Sequence, residues 1–144
     1  MKGESNCHTM VTRPAHLPTA EVIDGWPSFT AQSPLRLLVS ACLANEPCGV
    51  NGTSYGDYPF ALRFLALPNV KAIRFCPEHA AFGTPRKTPD IHGGHGFDIL
   101  DERPGVRVMS DAGDDWTEGM RRAAIRMREI AVAESVHLAL MMDI

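Results

Sequence analysis

The chain has 144 residues, a formal net charge of −3 and 44% hydrophobic residues, which is the composition of one ordinary globular domain. The charge lacks the basic footprint of a nucleic-acid-binding protein, and neither a membrane-spanning run nor the apolar core of a secretory signal is present in the sequence. We therefore expect a cytoplasmic protein without nucleic-acid or membrane partners, whose four cysteines are reduced thiols or metal ligands rather than disulfides.

Residues 1–33 are rich in Pro, Thr, Ser and His and show no sustained helical or strand periodicity. They predict an irregular N-terminal extension, in which Cys7 and His8 are more readily ordinary polar residues than a metal site. Residues 34–144 carry the periodic segments and predict one α/β domain.

The first periodic segments predict a parallel pair of strands. Residues 35–41 form a nearly continuous apolar run, which is typical of a strand covered on both faces. Residues 59–67 predict a helix that begins at Pro59, and residues 70–75 predict a second strand. Because a strand, a helix and a strand follow one another, we expect a right-handed crossover in a Rossmann-like, three-layer α/β fold with a small, mostly parallel sheet.

The second half of the chain begins with residues 76–96, which predict a long polar loop. Residues 97–100 and 106–110 then predict a small hairpin or edge element. Asp114 or Asp115 is placed to cap a helix over residues 116–133. The helix carries one apolar stripe of residues three and four apart: Met120, Ala123, Ala124, Met127, Ile130 and Ala131. Residues 137–143 predict a third strand.

Cysteines follow both of the first two predicted strands. Cys42 and Cys76 end runs whose carboxyl ends meet at one edge of a parallel sheet, where open α/β sheets bind ligands. Thiolates select zinc, copper(I) or iron–sulfur clusters. Glu46 and Glu78 place carboxylates near these thiols, which suits a cluster with a proton-transferring group beside it.

The residues alone leave other interpretations open. Free cysteines are often buried as small hydrophobic side chains, so a metal-free interaction domain would explain the same pattern. A zinc-binding or small-molecule-binding module would instead use four donors with workable spacing, namely Cys76, His79, His92 and His95.

Several short segments together resemble a bacterial domain-of-unknown-function family that includes the iron–sulfur thiouracil desulfidases. They are residues 39–43 (VSACL), 48–52 (CGVNG), 76–78 (CPE), 83–86 (GTPR) and 111–117 (DAGDDWT). The resemblance implies an α/β domain that holds a 4Fe–4S cluster by three cysteines. Its fourth iron would stay open to accept sulfur from a thiolated substrate such as a thiopyrimidine, without net redox change of that substrate.

By this resemblance Cys42 and Cys76 are the first two cluster ligands, and from its position alone Glu78 is the candidate acid or base. The family's third cysteine lies in a Ser-x-x-Cys-Gly-like block after the third strand, and this sequence ends at Ile144, where that block would begin. We therefore expect a truncated domain in which Cys48 substitutes as the third ligand or the cluster chemistry is lost.

Overall fold

The structure is a computed structural model that describes residues 20–54 and 56–142. Cys7 and His8 therefore lie outside the described residues. No helix in the described ranges is long and apolar enough to cross a membrane. The elements in chain order are α1 (Ala20–Asp24), β1 (Leu35–Ser40), a 3-10 helix (Ala41–Ala44), α2 (Pro59–Leu65), β2 (Val70–Phe75), α3 (Pro77–Phe82), β3 (Pro89–His92), α4 (Gly96–Leu100), β4 (Arg107–Ser110), α5 (Thr117–Ala133) and β5 (Leu138–Leu140).

The main sheet has three parallel strands with β1 in the centre, between β2 and β5. Leu37 of β1 lies opposite Ala72 of β2 on one side and Leu138 of β5 on the other. The side chains of Leu37, Leu38 and Val39 are at most 3% exposed. The apolar run therefore forms a strand buried on both faces, which confirms the predicted α/β fold with a small parallel sheet.

Helices lie on both faces of this sheet. Leu37 and Val39 pack with Phe64 of α2, which begins at Pro59 as predicted. On the opposite face, Met120 and Met127 of α5 line a cavity together with residues at the carboxyl ends of β1 and β2. This arrangement of α2, sheet and α5 gives the three layers.

The long helix α5 has the predicted stripe, with Ala123 buried and the other stripe residues half-buried. Asp115 lies just before the N-cap residue, Trp116, and its carboxylate accepts the N–H of Thr117 at 3.0 Å. One aromatic pair joins α5 to α3, because the ring of Phe82 stacks on that of Trp116 with centroids 3.9 Å apart. This ring pair contributes to the packing of α5 against α3, the helix that follows Cys76.

Two predictions between β2 and α5 are wrong. Residues 76–96 do not form one loop, since they contain α3 and β3. Residues 97–100 are not a strand but part of α4, and β4 pairs with β3 in an antiparallel ribbon instead. Asp98 explains the helix: its carboxylate accepts the N–H of His95 at 2.9 Å and forms a capping box that a strand could not use.

The described part of the N-terminal segment contains the short helix α1, where the composition predicts irregular chain. Phe29 then reaches the amino end of the sheet. Its carbonyl accepts a hydrogen bond from the Asn69 side chain at 3.4 Å, and its ring meets that of His137 with centroids 4.9 Å apart. This segment therefore contacts the edge of the sheet opposite to the cysteines.

Candidate functional site

Three cysteines cluster at the carboxyl edge of the parallel sheet. Cys42 lies in the 3-10 helix that follows β1, Cys76 directly follows β2, and Cys48 lies in the loop after the 3-10 helix. The side chains of Cys42 and Cys48 are buried, and that of Cys76 is half-buried. The sequence predicts that Cys42 and Cys76 come together here, with Cys48 as the candidate third ligand, and the structure clusters all three.

A tight turn brings Cys48 back to Cys42. Asn45 ends the 3-10 helix with φ of +64°, in the left-handed region that asparagine tolerates better than most residues. Its N–H donates to the carbonyl of Cys42 at 3.0 Å, and the N–H of Glu46 donates to that of Ala41 at 3.1 Å. These bonds reverse the chain and direct the following residues toward the end of β2.

Cys76 has a structural task of its own. It is the N-cap residue of α3, and its Sγ accepts the backbone N–H of His79 at 3.4 Å. The Cys76 thiol also approaches the carbonyl of Cys48, with Sγ 4.0 Å from the oxygen. The start of α3 and the Cys48 loop are therefore linked through the sulfur of Cys76.

The thiols line a cavity of about 350 Å³. One part of its wall is apolar and rich in thioethers, while the other carries a hydroxyl, a carboxylate and a guanidinium. The apolar residues are Phe75, Met120, Met127, Met141 and Met142, and the polar ones are Ser40, Glu78 and Arg86. The cavity thus combines soft sulfur donors, an apolar wall and two opposite charges.

Arg86 makes several hydrogen bonds within this wall, and its side chain is 3% exposed. Its Nη2 and Nε donate to Oε2 of Glu78 at 2.6 and 3.1 Å. Its Nη1 donates to the Cys48 carbonyl at 2.7 Å, and also contacts the Thr84 hydroxyl at 3.1 Å and the Gly83 carbonyl at 3.2 Å. The guanidinium therefore joins the Cys48 loop to the first turn of α3.

The environment keeps two of the thiols protonated. Burial raises the pKa of the Cys42 thiol above its usual range. Burial, together with the neighbouring Cys76 thiol, raises the pKa of Cys48 to about 12, while the nearby charge of Arg86 acts in the opposite direction. A bound metal would displace both protons, because a coordinating thiol is deprotonated.

The four donors of the alternative zinc site do not come together in the described part of the chain. His92 lies exposed on β3 opposite Arg107, and His95 contacts the Asp98 carboxylate at 3.2 Å. Over the described ranges, no three His, Cys, Asp or Glu side chains converge as ligands of a single metal ion. A cubane cluster makes a different demand, since each thiolate binds its own iron and the ligands need not converge on one point.

Sequence reasoning found the three cysteines and Glu78 but missed Arg86 and Ser40 as cavity residues. Arg86 stands in a loop with Gly83, Thr84 and Pro85, where an arginine is normally solvated. The available signal was the GTPR segment itself, which contributes to the family resemblance. The segment alone does not indicate that the guanidinium is buried against Glu78, which the structure shows.

Comparisons with protein families and known proteins identify relatives of this chain. The family model described as 2-thiouracil desulfurase matches residues 37–143, which is well over half of the chain. The uncharacterized protein YbbK of Bacillus subtilis (strain 168) is 35% identical over 83 residues, which cover 57% of this chain and 52% of YbbK.

A solved structure, that of the 4Fe–4S-dependent thiouracil desulfidase TudS, is similar in fold and in sequence. The TM-score is 0.56 and the identity 28%, over 72% of this chain and 61% of the TudS chain. The present chain thus spans between half and two thirds of the length of these two relatives. The family match over residues 37–143, supported by the parallel sheet with cysteines at its carboxyl edge, shows that this chain belongs to the 2-thiouracil desulfurase family.

Proposed function

We propose that this chain is a desulfidase domain that holds a 4Fe–4S cluster through Cys42, Cys76 and Cys48 and removes sulfur from a small thiolated molecule, such as a thiolated pyrimidine. One observation carries the proposal: the three thiols cluster and line one cavity, in a chain of the 2-thiouracil desulfurase family. A reduced, cytoplasmic setting fits free thiols and stays a prediction.

The residues present fit such a cluster. Cysteine thiolates are the usual ligands of iron–sulfur clusters, and three of them would leave one iron without a protein ligand. The thioethers and Phe75 place apolar surface beside the thiols, and an apolar surround of this kind limits the contact of a cofactor with solvent. When bound, the cluster would supply a Lewis-acidic open iron that accepts sulfur.

The proposed reaction balances without an external electron donor. A carbon–sulfur double bond is exchanged for a carbon–oxygen double bond, water supplies the oxygen, and sulfur leaves as hydrogen sulfide with the two protons of that water. Glu78 lines the cavity and is the group that would take a proton from the attacking water and return it to the departing sulfur.

The shape of the cavity favours a small substrate. Its volume of about 350 Å³ is at the lower end of the range of ligand pockets, and because the cluster would occupy part of it, only a small compound fits beside the cluster. Phe75 and the methionines offer polarizable surface to a flat ring that contains sulfur. No basic groove lies along this wall, where Arg86 is already paired with Glu78, so a free base is a better candidate than a nucleic acid.

The test is iron and acid-labile sulfide per chain after anaerobic reconstitution, followed by sulfide release from 2-thiouracil. We expect about four irons and four sulfides per wild-type chain. Cys42→Ser and Cys48→Ser should each lower the cluster content severalfold, and Cys7→Ser, which removes a thiol elsewhere in the sequence, should not. Iron no higher in the wild type than in a Cys42→Ser/Cys76→Ser double variant would refute the cluster. Full loading in Cys48→Ser would refute Cys48 as the third ligand.

A further inference from the structure

We propose that Arg86 is a positioning residue: it fixes Glu78 by one carboxylate oxygen, leaves the other oxygen for the ligand, and with the same guanidinium holds the loop of Cys48. The part of this proposal that concerns catalysis rests on the proposed desulfidase function. The part that concerns the loop does not.

The guanidinium donates hydrogen bonds to two different elements, α3 and the loop of Cys48. One edge, formed by Nε and Nη2, faces Glu78 in the first turn of α3, and Nη1 faces the Cys48 carbonyl. A planar guanidinium holds both directions with separate nitrogens in one rigid group, whereas an ammonium group has all its donors on one nitrogen and no fixed fork. Since the Arg86 side chain is almost fully buried, this geometry is fixed by its surroundings rather than by a solvated ion pair.

The two bonds to Glu78 end on the same oxygen. Both Nε and Nη2 of Arg86 donate to Oε2, and no hydrogen bond from the part of the chain that the structure describes reaches Oε1. Two donors on Oε2 limit how far the carboxylate can rotate, which restricts the directions open to its second oxygen. Because Glu78 lines the cavity of the thiols, Oε1 is the oxygen available to a proton of the ligand.

The loop of Cys48 is held by residue 86 in two ways. The Nη1 atom contacts the Cys48 carbonyl, and the backbone N–H of Arg86 donates to the carbonyl of Val50 at 3.0 Å. The Thr84 hydroxyl contacts the same Cys48 carbonyl at 3.4 Å. These bonds keep the loop folded inward, and Cys48 therefore stays beside Cys42 and Cys76.

The loop part is tested by amide hydrogen exchange in the cluster-free protein. The N–H groups of Gly49 and Gly52 are hydrogen-bonded within the loop, so their exchange reports its opening. Arg86→Lys keeps the charge and loses the fork, and we expect these amides to exchange about tenfold faster or more. The control Arg103→Lys also alters an arginine–carboxylate pair, that with Asp98, and should leave them unchanged. Equal exchange in Arg86→Lys and wild type would overturn the proposal.

A milder variant covers the case in which Arg86→Lys does not fold. Thr84→Val removes the hydroxyl that supports the Cys48 carbonyl and retains the buried guanidinium, so we expect a smaller increase at the same two amides. If the exchange of these amides stays at the wild-type rate in Thr84→Val as well, while circular dichroism shows a folded protein, Arg86 and its partners do not hold the loop.

The catalytic part is tested by steady-state kinetics of sulfide release. A displaced carboxylate should lower kcat about 10- to 100-fold and change KM little, because the cavity walls remain. With kcat expressed per bound cluster, Arg86→Lys should cause no further loss in a Glu78→Gln background, since the loop effect alters cluster content and the remaining effect passes through Glu78. Additive losses, or a change confined to KM, would refute the positioning role. A wild type without cluster or sulfide release would instead refute the proposed function, and the exchange experiment would still decide the loop part.

Discussion

The backbone N–H of Met142 donates to Oγ of Ser40 at 2.8 Å, which joins the carboxyl ends of β5 and β1. Both residues line the cavity that contains the thiols. The hydroxyl thus links the two neighbouring strands where they end, beside the candidate site. Sheet pairing between the two strands stops at Val39 and Leu140, so this side-chain bond extends their contact by one further step.

Ser40→Ala should therefore destabilise the fold modestly. The variant leaves the N–H of Met142 without this partner, and we expect the free energy of unfolding to fall by about 1 kcal/mol. Urea denaturation measures this change. Ser28→Ala alters an exposed serine before β1 and should stay within about 0.5 kcal/mol of the wild type. An equal effect of the two substitutions would show that the Ser40 bond contributes nothing to stability.

Gly119 is expected to be a close-packing position on α5. A Cβ added there would lie 2.9 Å from Cε1 of Phe82, whose ring is already stacked on Trp116. The helix propensity of alanine favours Gly119→Ala by about 1 kcal/mol, but overpacking costs about 1–3 kcal/mol and should win. Thermal unfolding of Gly119→Ala should thus show a lowered Tm.

The same substitution should change sign once the ring is gone. In a Phe82→Leu background the clash is relieved, so Gly119→Ala should then raise the Tm relative to Phe82→Leu alone. A lowered Tm in both backgrounds would mean that the glycine is required for a reason other than the Phe82 ring.

His137 should make stability depend on pH. Its Nδ1 accepts the backbone N–H of Arg36 at 3.0 Å, which requires an unprotonated nitrogen. Burial, and then the charge of Arg36, lower the pKa of His137 below its usual range. The pKa of His137 in the folded protein is below its unfolded value of about 6.5. The stabilisation that neutral His137 gives to the fold is therefore complete above about pH 6.5, and it is lost as the pH falls through the folded pKa.

The measurement is the free energy of unfolding between pH 7.5 and about 5, in wild type and His137→Gln. The wild type should lose stability on acidification more steeply than the variant. Asp98, Asp114 and Asp115 also have lowered pKa values, because of their hydrogen bonds, and they stay ionised throughout this window. Parallel curves for the two proteins would contradict the assignment to His137.

The buried thiols should resist alkylation in the cluster-free protein. Burial raises the pKa of Cys48 to about 12, so little of its thiol is ionised even at pH 9. Cys42 is also buried and has a raised pKa. Iodoacetamide labelling followed by mass spectrometry should find both slow from pH 7 to 9 and fast in 6 M urea. Rapid labelling of the folded protein would show that the loop opens.

Local patterns predict the three strands of the main sheet, most clearly β1, whose nearly continuous apolar run is buried. β2 is only half-buried, with Lys71 and Arg74 exposed, and β5 is shorter than the predicted residues 137–143. Residues 70–75 were predicted with the bounds that the structure shows. The pairing of β3 with β4 could not be predicted, since it joins two four-residue segments through contacts between distant positions. α3 was also missed, because a helix of six residues has too short an apolar period to recognise.

The candidate site divides in the same way. Cys42 and Cys76 come together because parallel strands share a carboxyl edge, which a sequence pattern can indicate. The position of Cys48 depends on the left-handed turn at Asn45, and the role of Arg86 depends on its burial, so neither follows from a local pattern. The substrate and the identity of the cluster ligands stay predictions.

The N-cap position of Cys76 affects how any substitution there should be interpreted. Alanine would remove a candidate ligand and at the same time release the N–H of His79, so a colourless Cys76→Ala protein could reflect a frayed α3 rather than lost coordination. Serine retains a capping oxygen and is a poor ligand for iron. Comparing the two substitutions therefore separates the capping role of Cys76 from its role as a ligand. Alanine substitution alone would attribute to lost coordination what is partly lost capping of α3.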